Sequence, residues 1–287
     1  MNISAATFVR DTLKGGFCLF ESMAMWLTLP VDKMIVLDLG STDGTRELLA
    51  QIADKNERVE LHDAHFSKID AAAFADAANE CIALAPTDVV LFWQADEIMH
   101  EGLIPFVLAN LAREREEMTF WRVQLRENFQ GIKWFPHPVQ RVGNKAKGFT
   151  FVGDGMNTQG YFGPPLVGDY DGGWFIRWGA EFEKSPTELP THQMILDVSL
   201  VGAFRDLIVE RRKMHAPFWH EPPTVEGVDA DKWHAQQLVN PNWMKTTTPF
   251  NIPKIMRWHL GKTRYYLRDT LFQALKQDKT EEFLDGL

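Results

Sequence analysis

Apolar and polar positions alternate in blocks through the first hundred residues, and each block has the length of one strand or one helix. Four short, mainly apolar runs have the length and composition of strands: 3–9, 33–37, 58–61 and 88–93. Three longer segments between them have the pattern of helices: 14–29, 46–53 and 71–85. The run at 88–93, DVVLFW, does not alternate, which indicates burial on both faces. The order predicts an α/β fold with a mostly parallel sheet, right-handed crossovers and helices on both sides.

The pattern changes after residue 97. A helix is predicted in 101–118 and a strand in 119–125. Residues 128–190 are rich in glycine, proline and aromatic side chains, with a short strand predicted at 149–152. Helices are predicted again at 195–213 and 264–276. We therefore divide the chain into three parts: 1–118, 119–215 and a C-terminal, tryptophan-rich, partly helical extension at 216–287.

Composition narrows the class of protein. Hydrophobic residues make up 45% of the 287 residues and charged residues 24%, as in an ordinary globular chain. No apolar run approaches the roughly 18 residues of a membrane-spanning helix, and the N-terminus has no signal-peptide pattern. Cys18 and Cys81 are too few for a disulfide framework, so we expect a cytoplasmic protein. The net charge of −9 disfavours a broad grip on nucleic acid.

Polar side chains follow three of the predicted strands. The stretch LDLGSTDGTRELL at 37–49 places Asp38 directly after a buried strand, His62 and Asp63 follow the next strand, and QADE at 94–97 follows DVVLFW. Because ligands of parallel α/β sheets bind outside the carboxyl ends of the strands, these loops are expected to converge on one functional edge.

Each loop also has a plain structural interpretation. Gly40 and Gly44 suit a tight strand-to-helix turn, whose serine, threonine and aspartate residues suit a helix cap. The turn is neither a P-loop nor a G-x-G-x-x-G turn. Asp38 is placed to receive a ribose hydroxyl or a base N–H. Asp96 is suited either to a Mg²⁺ or Mn²⁺ ion or, with Glu97, to the cap of the helix near residue 101.

Together these loops form the pattern of a known family. The stretches FVRDTLKGGFCLFESMAMWLTLPVDKMIVLDLGSTDGTRELL (8–49) and AANECIALAPTDVVLFWQADEIM (77–99) resemble the family 2 glycosyltransferases of the GT-A fold. The resemblance covers about residues 5–100. It implies a GT-A-like, Rossmann-related sheet and a nucleotide-sugar donor, most commonly a UDP-sugar, with Mn²⁺ or Mg²⁺ as the cofactor.

The resemblance also assigns residues to the donor site. They are Phe8, Val9 and Arg10 beside the nucleobase, Asp38 on the nucleoside with Ser41 and Asp43 supporting its loop, Asn79 on the following helix, and Gln94, Ala95 and Asp96 of the D-x-D stretch. Asp96 matches the position that reaches the metal. Gln94 stands where the family has the first Asp, which removes one charge from the expected metal site.

The second half resembles the family less closely. FTFVGDGMNTQG and LPTHQMILD lie where family members have an acceptor-side base and a metal-binding histidine. The resemblance thus makes Asp154 the candidate general base and His192 a second metal ligand, with Glu181 in WGAEF as the reserve base. Alternatively, Asp154 is a turn residue between two glycines and His192 a surface or capping histidine.

The function expected is an inverting, metal-assisted transfer of a sugar from a nucleotide-diphosphate donor to an acceptor hydroxyl. One alternative is a nucleotide-sugar-binding module without catalysis, which Gln94 favours. A further alternative is a metal-dependent hydrolase that uses the pair His62-x-x-His65. The sequence does not identify the acceptor, which relatives of this fold take from glycans, proteins, lipid-linked sugars or modified nucleic-acid bases. It does not determine the oligomeric state either.

Overall fold

A computed structural model describes residues 1–64, 71–127, 131–132, 137–152, 157–159, 195–201, 244–245 and 264–286. The strands of these segments are β1 Ile3–Val9, β2 Val31–Asp38, β3 Val59–Asp63, β4 Val89–Phe92, β5 Glu97–Met99, β6 Met118–Glu127, β7 Gly131–Ile132, β8 His137–Asn144, β9 Thr150–Val152, β10 Asn157–Gln159, β11 Ile195–Val201 and β12 Met244–Lys245. The α-helices are α1 Leu19–Leu27, α2 Thr45–Ala53, α3 Ala71–Leu84, α4 Ile104–Ala112, α5 Arg264–Lys276 and α6 Thr280–Asp285.

One mixed sheet organises the described part of the chain. Its strands run in the order β12-β7-β6-β8-β4-β1-β2-β3, and β11 joins β6 to β5. The neighbours β4, β1, β2 and β3 are parallel, whereas β8 pairs antiparallel with both β4 and β6. Strands β9 and β10 form a separate antiparallel pair. The predicted α/β architecture is confirmed, with its parallel strands concentrated in the first hundred residues.

Both faces of the parallel strands are buried. On β2, Met34 and Val36 pack in a core with α1, α2 and α5, whereas Ile35 and Leu37 pack in a second core with α3. Side chains of a strand point alternately to its two faces, so a continuous apolar run needs a helical layer on each side. The predicted burial of DVVLFW on both faces is likewise confirmed, since Val89 to Trp93 are all buried.

Several predicted boundaries shift. Helix α1 begins at Leu19 because residues 11–17 form turns, in which the Gly15 N–H donates to the Asp11 carbonyl at 3.0 Å and Gly16 has a φ of 62°. The helix predicted at 101–118 is a 3-10 turn, Glu101–Leu103, followed by α4.

The helix predicted at 195–213 is wrong at its start. Residues Ile195–Val201 form β11, which pairs parallel with β6 and antiparallel with β5. Pairing on both sides gives the backbone N–H and C=O groups partners within the sheet, and this tertiary context overrides the local helical pattern. Residues 202–213 lie outside the described residues.

The last two helices pack against the first half of the chain. Leu271 and Leu275 of α5 are fully buried in the same core as α1. The Asn56 side-chain amide donates to the Leu275 carbonyl at 2.7 Å, and the Arg58 guanidinium donates to Asp278 at 3.2 Å. Within the described segments, every helix is too short or too polar to span a bilayer.

Candidate functional site

The carboxyl ends of β2 and β4 lie on either side of the end of β1. Val9 is the register partner of Asp38 on β2, and the Trp93 N–H donates to the Ala6 carbonyl of β1 at 3.1 Å. Strand spacing is about 4.8 Å, so the ends of β2 and β4 are separated by roughly 10 Å. The loop that follows Asp38 and the turn that contains Asp96 therefore leave the same edge of the sheet, as the sequence predicted.

Asp38 is a fully buried carboxylate at this edge. Its two oxygens accept the Ser41 N–H at 3.1 and 3.0 Å, and its register partner on β3 is Asp63. Burial raises the pKa of Asp38, and the nearby charge of Asp63 acts in the same direction, while the hydrogen bonds from Ser41 and the charge of Arg46 oppose this shift. The buried acid is thus held in place by its own loop.

Asp11 ties the loop after β2 to the loop after β1. The Asp11 N–H donates to Ser41 Oγ at 2.9 Å, and Asp11 Oδ1 accepts the Thr42 N–H at 2.7 Å. Asp11 has a φ of 45°, in the left-handed region that non-glycine residues adopt uncommonly. The two neighbouring loops are therefore held in one conformation by reciprocal hydrogen bonds.

Asp43 and Thr45 extend the same connection. Asp43 accepts the Lys14 N–H at 2.7 Å and the Thr45 N–H at 3.0 Å, and Thr45 Oγ1 accepts the Leu13 N–H at 3.2 Å. Burial alone would raise the pKa of Asp43, but these hydrogen bonds to the charged form outweigh it and the pKa is lowered. The N-cap residue of α2 is Gly44, with a φ of 93°. Asp43 thus joins the loop after β1 to the start of α2, and its expected part in the donor site stays a prediction.

An exposed ion pair borders Asp38. Arg46 at the start of α2 donates through Nε and a terminal nitrogen to the two oxygens of Asp63, at 2.5 and 2.8 Å. The hydrogen bonds that Arg46 donates to Asp63 raise the pKa of Arg46. The charge of Arg46, although paired with Asp63, also acts on the buried Asp38.

The QADE stretch is a closed turn. The Glu97 N–H donates to the Gln94 carbonyl at 2.9 Å, and Glu97 is the first residue of β5. The expectation that Asp96 or Glu97 caps the helix near residue 101 is wrong, because β5 intervenes and the N-cap of the 3-10 turn is His100, whose Nδ1 accepts the Gly102 N–H at 2.9 Å. Asp96 is partly exposed at the carboxyl edge.

Glu97 forms a buried ion pair with Arg141 of β8. The Arg141 Nε and a terminal nitrogen donate to the two Glu97 oxygens at 2.8 and 2.6 Å, and both side chains are almost completely buried. The sequence analysis considered Glu97 only as a helix cap and did not single out Arg141. The signal available was the position of Arg141 within the strand pattern HPVQRVGN, where a buried cation requires a partner.

The residues expected beside the nucleobase differ in exposure. Val9 is buried, and the partly buried Phe8 ring lies 5.7 Å from the ring of Phe74 and 6.0 Å from that of Phe92. The Arg10 side chain is 40% exposed, with Nε 3.9 Å from an oxygen of Asp11. Of these three side chains, Val9 is enclosed in the core, whereas Phe8 and Arg10 are partly exposed at the carboxyl edge.

Asn79 contacts the backbone of β9. Its Nδ2 donates to the Phe151 carbonyl at 3.0 Å, and its Oδ1 accepts the Phe151 N–H at 2.8 Å. Asn79 Oδ1 also accepts a hydrogen bond from Thr150 Oγ1 at 2.7 Å. The side-chain amide of Asn79 thus bonds to both the N–H and the C=O of one β9 residue, as the backbone of an adjacent strand does. Its expected contact with the nucleotide stays a prediction.

The proposed acceptor-side and second metal residues, Asp154, Glu181 and His192, lie outside the described residues, as does His65. His62 is described, with Nε2 3.7 Å from a carboxylate oxygen of Glu60. Within the described ranges, no group of three or more His, Cys, Asp or Glu side chains is placed to hold a metal ion.

The chain was compared with protein families, curated proteins and solved structures. The model of glycosyl transferase family 2 matches residues 19–163. No curated protein matches the chain. A crystal structure of S. aureus TarS 1–349 is 14% identical over 44% of this chain and 36% of that chain, with a TM-score of 0.32. The complex of the same protein with UDP is 15% identical over the same shares, also with a TM-score of 0.32.

A structure of HddC from Yersinia pseudotuberculosis is 9% identical over 50% of this chain and 72% of that chain, with a TM-score of 0.28. The chain spans about a third of the length of the TarS 1–349 structures. The family model matches just over half of the 287 residues, including the loops after β2 and β4. The chain therefore belongs to glycosyl transferase family 2, and its α/β sheet is of the GT-A-like type.

Proposed function

We propose that the protein transfers a sugar from a nucleotide-diphosphate donor to an acceptor hydroxyl, with inversion at the anomeric carbon. The observation that carries this proposal is the placement of Asp38 and the turn of Asp96 on either side of β1, at one carboxyl edge. Residues 1–118 would bind the donor, residues 119–215 the acceptor, and residues 216–287 would form a C-terminal extension. UDP is the proposed nucleotide, in line with the family resemblance.

The loops after β1 and β2 would bind the nucleoside. Asp38 would accept a hydrogen bond from a ribose hydroxyl or a base N–H, and its buried position would make such a hydrogen bond strong. Phe8, which is partly exposed, would contribute aromatic surface at the same edge, and Arg10 would contribute a cation to the donor. The contacts of Asp11, Ser41 and Asp43 hold these loops in place before the donor arrives, which lowers the entropy cost of binding.

We propose Asp96, in the turn after β4, as a ligand of a divalent cation, because Mg²⁺ and Mn²⁺ prefer oxygen ligands and also bind the phosphates of a donor. When bound, such an ion would offset the charge of the diphosphate leaving group. Glu97 is committed to Arg141, so Asp96 is the carboxylate of this turn that we propose as the ligand, with His192 as a second ligand. Gln94 would accept from or donate to a ribose or phosphate.

Asp154 is the proposed general base, with Glu181 in reserve. The base would remove the proton from the acceptor hydroxyl as its oxygen attacks the anomeric carbon from the side opposite the diphosphate. A single displacement of this kind inverts that carbon. The tryptophan-rich second half would exclude water, which otherwise hydrolyses the donor.

Binding of the donor is tested directly by a thermal-shift panel of UDP-, GDP- and CMP-sugars, with and without Mn²⁺. A ligand that binds the folded state alone raises the Tm, and the shift grows with the logarithm of the ligand concentration relative to its Kd. We expect a shift with UDP-sugars. The absence of a shift with every donor would contradict the proposal.

Asp96→Asn tests the turn after β4. We expect this variant to lose transfer and to bind the donor more weakly while its Tm stays near that of the wild type, because Asp96 is partly exposed. Asp88→Asn is the matched control, since Asp88 is an exposed aspartate at the opposite, amino end of β4. Wild-type transfer by Asp96→Asn would remove this residue from the mechanism.

A nucleotide-sugar-binding module without catalysis is the second candidate, and Gln94 in place of an Asp favours it. It predicts the same thermal shifts but neither transfer nor slow hydrolysis of the donor. Release of free UDP from a UDP-sugar, measured over hours, separates the two candidates. No described residue favours the metal-dependent hydrolase, because His65, the proposed partner of His62 in a metal site, lies outside the described residues.

A further inference from the structure

We propose that the buried Glu97–Arg141 ion pair is the positioning element of the Gln94–Glu97 turn and thereby fixes Asp96 for donor binding. This inference rests on the proposed function. Glu97 on β5 and Arg141 on β8 are not among the residues proposed to contact the donor. Their proposed role is to fix the position of Asp96.

The register of the sheet brings Arg141 to the end of β4. Leu91 pairs with Val142 in the antiparallel β4–β8 ladder, so Arg141 lies one position further along, level with Phe92 at the carboxyl end of β4. From there its guanidinium reaches the turn that follows. The fork of two parallel N–H···O bonds, at 2.8 and 2.6 Å, fixes the direction as well as the position of the Glu97 carboxylate.

The same carboxylate closes the turn that contains Asp96. Glu97 Oε2 accepts the Gln94 N–H at 3.2 Å, while the Glu97 N–H donates to the Gln94 carbonyl at 2.9 Å. The two ends of the four-residue turn are therefore joined by both a backbone and a side-chain hydrogen bond. A rotation of Glu97 would move the whole turn, including the peptide unit of Asp96.

Helix α1 supplies a third contact. The hydroxyl of Ser22, which is fully buried, donates to the Glu97 carbonyl. Glu97 is thus held by β8 through its side chain and by α1 through its backbone. Because both groups that hold it are buried, water cannot replace either one without opening the core. Asp96, which is partly exposed, directly precedes this fixed residue in the chain.

Charge also assigns different tasks to the two acids of the turn. Arg141 neutralises Glu97 in a closed, buried pair, and both Glu97 oxygens accept from it, so Glu97 is not placed to bind a cation or a proton donor of a substrate. The turn keeps Asp96 at the exposed edge for the donor. Glu97 is therefore a positioning residue and not a second metal ligand.

Arg141→Lys tests the pair. Lysine keeps the positive charge but cannot form the two-pronged fork. We expect faster amide hydrogen exchange in the peptide that covers residues 94–99, a higher Kd for UDP measured by calorimetry with Mn²⁺ present, and a loss of kcat/KM of up to about 100-fold, the order of effect of a 1 Å misplacement.

Arg58→Lys is the matched control. Arg58 donates to the carbonyls of Leu27, Leu29 and Val31 and to Asp278, at the amino end of the sheet. Its replacement is expected to lower the Tm while leaving the exchange of residues 94–99 and the Kd for UDP at wild-type values. Changes of equal size in the two variants would show a general loss of stability and overturn the inference.

Ser22→Ala is a milder second variant in case Arg141→Lys does not fold. It removes one contact to Glu97 without a buried charge, and smaller changes in the same direction are expected. Unchanged exchange at residues 94–99 in Arg141→Lys and Ser22→Ala would overturn the inference. If the wild type binds no nucleotide, the proposed function fails, while the exchange measurement still decides whether the pair holds the turn.

Discussion

At the scale of single residues, the candidate site is built from acids in contrasting environments. Asp38 is buried and its pKa is raised, whereas Asp43 accepts backbone N–H groups and its pKa is lowered. Asp96 is partly exposed and Glu97 is paired with Arg141. The sequence predicted which of these acids stand at the edge, but their environments depend on neighbours that are distant in the chain.

Asp38→Asn is expected to stabilise the fold at neutral pH and to weaken donor binding. Between the ordinary carboxyl pKa and the raised value of Asp38, the folded state binds more protons than the unfolded state, so the free energy of unfolding falls as pH rises through this range. Asparagine removes the charge but still accepts the Ser41 N–H. Urea unfolding from pH 3 to 8 checks this. A variant that is less stable than the wild type at pH 7 would contradict it.

Asp43→Ala is expected to destabilise the fold at neutral pH, the opposite of the effect expected for Asp38→Asn. The lowered pKa means that the ionised form stabilises the folded state above the ordinary carboxyl pKa, and that this stabilisation is lost as pH falls below it. Losing the hydrogen bonds to Lys14 and Thr45 should cost about 1–3 kcal/mol at pH 7. The difference from the wild type should shrink toward pH 2, measured in the same unfolding experiment. A constant difference across this range would assign the effect to packing alone.

At the scale of elements, the parallel strands and their helices were predictable, and among the later strands β6 and β9 were predicted as strands, whereas β11 was not. The strand β1 and the helix α5 have the predicted bounds, because their periodic patterns suit one structure only. The strand β11 was predicted as a helix because its pairing with β5 and β6 depends on segments about 70 to 100 residues earlier. Local pattern cannot report pairing over such separations.

Asn79 joins helix α3 to the β9–β10 pair, and its replacement tests how much this contact contributes to stability. Asn79→Asp removes the donor to the Phe151 carbonyl and places a negative charge beside it, which should lower the stability by about 1–3 kcal/mol. Hydrogen exchange of residues 149–152 should rise more than that of β1. The variant Glu80→Gln, a change of charge on an exposed neighbour in α3, is the control. Equal exchange in β1 and β9 would show that the amide is not a local anchor.

At the scale of the whole molecule, the C-terminal helices share a core with the first half of the chain. Leu275→Ala should lower the free energy of unfolding by about 2–5 kcal/mol, because Leu275 is fully buried. We expect one cooperative transition, followed by circular dichroism and by tryptophan fluorescence. Two separate transitions would indicate that α5 and α6 unfold independently and would support the division of the chain at residue 216.

The sequence by itself determined the α/β class, the order of the first strands and helices, and the loops of Asp38 and Asp96 at one edge, because these depend on local periodicity and on the rule that parallel strands end on the same side. Only the tertiary structure decided that β11 is a strand, that α5 packs beside α1, and that Arg141 pairs with Glu97. Each of these depends on burial and on contacts between distant segments, which a local pattern of hydrophobic and polar residues does not record.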